Sequence, residues 1–110
     1  MWYLVLSRNL KSDAEREGAT PAHLEWLADL HRAGRALFSG RTADGAYGIY
    51  VLLAENLEAG RALAAQDPYH MCGDRVLEQV LEWAPKRAMR LDVSIDDIEA
   101  MATEGKPIRT

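Results

Sequence analysis

Every position from Trp2 to Leu6 is apolar, and this opening run constrains how the rest of the chain can be arranged. Aromatic and β-branched residues favour an extended strand. Alternate side chains of a strand point to opposite faces, so Trp2, Leu4 and Leu6 share one side while Tyr3 and Val5 share the other. A strand that is apolar on both sides belongs in the middle of a sheet and needs cover on each face. The chain is 110 residues long and 48% hydrophobic, enough for one domain with one core. The 13 basic residues are outnumbered by 17 acidic ones, for a net charge of -4. Such a chain lacks the positive field on which nucleic-acid binding normally rests. The apolar runs at residues 2–6 and 49–54 fall far short of a membrane span, and without a basic stretch leading into an apolar one at the start, secretion is not expected. A lone cysteine, Cys72, leaves no internal disulfide and fits a reducing cytoplasm.

Further along, residues 9–19 are polar and charged and read as an exposed loop. Thr20-Pro21 marks a helix start, with Thr20 as N-cap and Pro21 in the first helical position. Leu24, Leu27, Leu30 and His31 follow at helical spacing, and Gly34 stops that helix, predicted over 21–33. Residues 35–40 and 46–54 flank an Asp44-Gly45 turn signal and read as an antiparallel hairpin. Asn56 caps a second helix carrying Leu57, Gly60, Leu63 and Ala64, which Pro68 closes. Residues 76–83 form a last strand, stopped by Pro85. The order strand, helix, strand, strand, helix, strand is the α+β ferredoxin-like βαββαβ arrangement, an antiparallel sheet with both helices on one face. Its other face would be bare in a monomer, so a homodimer with packed sheets is expected. Residues 1–85 hold this core. Residues 86–110 are a tail whose stretch 94–103, capped by Ser94, reads as a short amphipathic helix packing on the dimer.

Chemistry has few carriers here. His23 and His31 are eight residues apart, roughly 12 Å along a helix, too far to share a metal. His70 and Cys72 lack further ligands, so no metal site is expected, and Cys72 reads as a small buried hydrophobe. His23 shares a helical stripe with Leu27 and Leu30 and so faces the sheet or a cavity edge. It is either a packed histidine satisfied by a backbone carbonyl or a general acid/base, which needs a carboxylate to orient it. Asp67 is the candidate partner. Asp before Pro is a common turn former, but this topology brings the start of the first helix near the end of the second. Ser39-Gly40 ends the second strand and would allow a ligand close to the backbone. Tyr47, Tyr50 and Tyr69 can serve as pocket wall or as core, and His70 either lines the same mouth or is solvated.

Four features in this order resemble the YciI-like (YCII-related) family of small dimeric α+β barrel proteins: Trp2-Tyr3-Leu4-Val5, His23-Leu24-Glu25-Trp26-Leu27 with Gly34, Ser39-Gly40, and Asp67-Pro68-Tyr69-His70. The resemblance covers residues 2 to about 83. It implies a ferredoxin-like dimer with a His–Asp pair at His23 and Asp67. It also implies a pocket serine at Ser39, and the reading of the residues themselves adds Gly40, Tyr69 and His70 as further substrate contacts. Family members of assigned activity resemble muconolactone isomerases in fold, and one type removes chloride from a chlorinated hydroxyquinol. The resemblance thus implies a cofactor-independent isomerase, lyase or dehydrohalogenase acting on a small cyclic or aromatic organic acid. The alternative is a non-catalytic dimer that binds a small molecule in the same pocket. A cofactor-free monooxygenase is a weaker third reading. Arg41 stands where the family commonly has proline, which alters one pocket wall.

Overall fold

A computed structural model describes residues 1–86 of the chain. The tail from 87 onward, including the helix read at 94–103, lies outside the described residues. Four strands, β1 (Trp2–Asn9), β2 (Ala36–Arg41), β3 (Tyr47–Leu53) and β4 (Arg75–Trp83), form one antiparallel sheet in the order β2-β3-β1-β4. This is the ferredoxin-like order, and the doubly apolar strand β1 does lie inside the sheet. Helices α2 (Thr20–Arg32) and α3 (Leu57–Ala64) supply the two crossovers, and two short helices, α1 (Asp13–Arg16) and α4 (Pro68–Met71), precede α2 and β4.

Alternation along β1 sorts the two faces. Tyr3, Val5 and Ser7 are fully buried, whereas Trp2, Leu4 and Leu6 are only half-buried. The buried set pairs across the sheet with Leu52, Tyr50 and Gly48 of β3, and Leu30, Leu63 and Ala64 of α2 and α3 pack on it. Gly60 lets α3 approach closely, since a Cβ there would stand 3.1 Å from the Tyr3 ring. The opposite face carries Trp2, Leu4, Leu6, Ile49, Leu81 and Trp83, with Leu81 49% exposed. No described element covers it. No helix among the described residues is long and apolar enough to cross a membrane.

Local signals explain most boundaries. Asn56 accepts a hydrogen bond from the Ala59 amide and so caps α3 as read. Gly34, at φ 71°, takes the left-handed position after α2, with the Arg35 amide donating to the Leu30 carbonyl and the Gly34 amide to that of His31. Two expectations fail. Thr20 is not a cap: α2 begins at Thr20 after Ala19, and the Thr20 hydroxyl donates back to the Arg16 carbonyl. Residues 9–19 are not simply an exposed loop either. Ser12 and Glu15 make a reciprocal capping box that starts α1, and Arg16 is turned inward to 4% exposure.

Candidate functional site

The site grows from one buried turn. Residues 65–67 leave α3, and Asp67 caps the next helical turn by accepting from the Tyr69 amide at 2.9 Å, with Pro68 at the first helical position. This fixes a carboxylate with no solvent exposure beneath α2. His23, one turn into α2, donates from Nδ1 to Asp67 Oδ1 at 2.7 Å. The proximity read from topology is therefore present. Asp67 Oδ2 accepts from the Tyr50 hydroxyl and from Arg75 Nη1, the latter at 3.0 Å. Four donors thus converge on one carboxylate, which is how a buried charge is tolerated.

Electrostatics follow from this packing. Burial pushes the Asp67 carboxyl up, but hydrogen bonds from His23, Tyr50 and the Tyr69 amide outweigh it and hold it below the usual carboxylate range. Tyr50 moves far the other way, because burial and the Asp67 charge both oppose its ionisation. The carboxylate is thus charged and the phenol neutral, so both remain in the roles the hydrogen bonds require. With Asp67 accepting at Nδ1, neutral His23 carries its lone pair on Nε2. No described residue hydrogen-bonds that nitrogen, and His23 lines a cavity of about 700 Å³.

The cavity lies between α2, the end of β2 and α1. Ser39, Gly40 and Tyr69 line it as read, and so does Arg41, which meets Asp13 of α1 at 2.8 Å. That contact holds the Asp13 carboxyl below its ordinary value. Ser39 is itself held: its hydroxyl is 2.7 Å from His31 Nε2. Tyr69 is wedged in a stack. Its ring lies 4.1 Å from that of His23, and its hydroxyl is 2.5 Å from Thr20 Oγ1. His70 points elsewhere and does not line the cavity, its Nδ1 being buried without a partner among the described residues. Cys72 is exposed rather than a core residue, because it falls at the C-terminal end of α4. Among the described residues no group of three or more His, Cys, Asp or Glu is placed to hold a metal ion.

Three site residues escaped the sequence reading. The sequence leaves Tyr50 open between wall and core, and no motif distinguishes Arg16 or Arg75. Arg75 is 4% exposed and crosses the sheet over Gly48, where a Cβ would stand 2.7 Å from the guanidinium carbon. The glycine is thus the space the arginine occupies. The Ser12 and Glu15 capping box signals the short helix that carries Arg16, whereas Arg75 carries no local signal.

Acid titration should register the buried carboxylate. Its folded-state pKa is lowered, so its contribution to stability is complete above an unfolded value of about 3.9 and is lost as pH falls through the folded value. Urea unfolding of Asp67→Asn between pH 2 and 6 should show a shallower fall in stability on acidification than the native chain. The slope that persists belongs to Asp13, Glu15, Asp44 and Asp74, whose pKa values are also lowered. Identical slopes would mean that Asp67 gains nothing from its four donors.

Comparisons with known proteins agree with this fold. Residues 1–84 match the family model of the YCII-related domain. Among solved structures, the chain is similar to 5-chloro-2-hydroxyhydroquinone dehydrochlorinase (TftG) from Burkholderia phenoliruptrix AC1100, in complex with 2,5-dihydroxybenzoquinone. The TM-score is 0.62 at 17% sequence identity, covering 78% of this chain and 96% of that one. At that identity the likeness is one of fold. No curated protein matches the chain. The family match runs from the first strand through the last and takes in every residue of the Asp67 cluster, so the chain belongs to the YCII-related domain family.

Proposed function

We propose that the chain is a cofactor-independent enzyme that moves a proton on a small cyclic or aromatic organic acid, as an isomerase, lyase or dehydrohalogenase. The observation that carries this reading is the His23–Asp67 pair, with Nδ1 bound to a buried carboxylate and Nε2 left free at a cavity wall. A base needs a lone pair within reach of the substrate and a tautomer that cannot flip, and this arrangement supplies both. His23 is the base and later the acid, Asp67 orients it, and Ser39 offers a hydroxyl to the ligand. The cavity is of a size suited to a single ring with substituents. The similar dehydrochlorinase, whose named substrate is a chlorinated hydroquinone, supports the substrate class.

A screen of lactones and of hydroxylated or chlorinated aromatics, followed by absorbance, tests this directly. His23→Gln should lower kcat by roughly 100-fold or more, the usual contribution of a positioned acid–base. Asp67→Asn should lower kcat with less effect on KM, because it disturbs the tautomer rather than the cavity. Binding without turnover in the native chain would leave a small-molecule-binding module instead.

The same proposal includes a homodimer working in the cytoplasm. Trp2, Leu4, Leu6, Leu81 and Trp83 form an apolar face that no described element covers. A second copy of the sheet would remove that face from water, and apolar patches of this extent on soluble chains commonly mark an interface. In sedimentation equilibrium the native protein should run at twice the chain mass. Leu4→Glu, which puts a charge at the centre of the face, should run at the chain mass with its secondary structure kept. A native monomer would refute the dimer.

A further inference from the structure

Tyr69 is flanked by two buried guanidinium groups. The Arg75 carbon lies 4.8 Å from its ring centre and the Arg16 carbon 5.0 Å, and both residues are 4% exposed yet line the cavity. Each is only partly engaged. Arg75 donates from Nε to Asn9 Oδ1 at 2.7 Å and from Nη1 to Tyr50 and Asp67. Arg16 donates from Nε to the Lys11 carbonyl at 3.2 Å and from Nη2 to Asp13. That leaves Arg75 Nη2 and Arg16 Nη1 without an acceptor among the described residues. Neither atom is fully buried, and both residues line the cavity. Each shares its carboxylate with a second basic group: Asp13 pairs with both Arg16 and Arg41, and Asp67 with both Arg75 and His23.

We infer that Arg75, seconded by Arg16, is the anion-binding group of the cavity and receives a negatively charged substrate oxygen beside His23. The ligand class is an enolate, phenolate or carboxylate on a small ring. Arg75 and His23 bind the two oxygens of one carboxylate, pack against the same tyrosine ring and line the same cavity. The inference deepens the proposed proton transfer and rests on it for the role of His23. When Nε2 removes a proton from a carbon next to a carbonyl, the C–H electron pair becomes the enolate double bond and the carbonyl π pair moves onto oxygen. A fixed, poorly solvated N–H donor aimed at that oxygen stabilises the charge as it develops. The imidazolium then returns the proton to another carbon, completing an isomerisation. Alternatively the enolate expels a leaving group as an anion, and the proton passes from His23 to water. Arginine suits the position because it keeps its charge when buried and presents several donors in one plane.

Binding, not turnover, tests the inference. Calorimetry compares 2,5-dihydroxybenzoquinone, whose acidic hydroxyls make it an anion at neutral pH, with its uncharged ether 2,5-dimethoxybenzoquinone. The native protein should prefer the anion by roughly tenfold or more, the usual value of a hydrogen bond to a charged group. Arg75→Met should lose the preference and Arg75→Lys should keep part of it. Should Arg75→Met fail to fold, the native guanidinium signals in 15N NMR decide. Those absent from Arg75→Lys should move on adding the anion and stay in place with the ether. Equal affinity for the two quinones, no measurable binding of the anion, a preference that survives Arg75→Met, or unmoved guanidinium signals would each overturn it. His23→Gln separates this from the proton-transfer reading: it should abolish turnover and leave the anion preference intact.

Discussion

A carboxylate with no exposed surface is costly to bury, and the arrangement around Asp67 is the solution to that cost. Two oxygens accept from an imidazole, a phenol, a guanidinium and a backbone amide, drawn from α2, β3, β4 and α4. Each donor is placed by a different part of the fold. Tyr50 lies on the covered face of β3, Arg75 opens β4 across from Gly48, and the Tyr69 amide belongs to the turn that Asp67 itself caps. Removing any one leaves the others facing an under-satisfied charge. The pair that gives His23 its tautomer is therefore also a knot tying both helical crossovers to the sheet.

Chemical potential at the cavity follows from the same geometry. The chain is acidic as a whole, with a net charge of -4, yet three arginines border the cavity and two of them are almost wholly buried. Net charge reports on the field far from a protein, whereas a pocket is governed by the few groups that face it. An imidazole oriented by a carboxylate, a neutral phenol and a guanidinium with an N–H unpaired among the described residues make a site that can take up a proton at one point and hold negative charge at another.

Much of the fold was legible because its signals are local or periodic. The doubly apolar opening strand, the Asp44-Gly45 turn, the Asn56 cap and the Gly34 stop each carry a physical reason in a few neighbouring residues. The His23–Asp67 approach was legible too, from the order of elements. Arg75 was not, since what makes it part of the site is the missing Cβ of Gly48, 27 positions away in the chain and two strands across the sheet. Residues 9–19 were misjudged for another reason. Their charged composition hid a capping box, Ser12 with Glu15, and composition alone cannot separate a solvated arginine from one whose stem and head are turned inward. Cys72 and His70 depart from expectation for a similar reason: α4 turns His70 away from the cavity and leaves Cys72, the residue that follows it, exposed.

The central claim is that Asp67 holds neutral His23 with its proton on Nδ1 and its lone pair on Nε2, toward the cavity. Ring-nitrogen NMR of the 15N-histidine protein measures this directly, with His23 assigned by its loss in His23→Gln. In the neutral ring, a one-bond proton coupling at Nδ1 and an unprotonated Nε2 are predicted. A proton on Nε2, leaving Nδ1 bare against the carboxylate, would contradict the account.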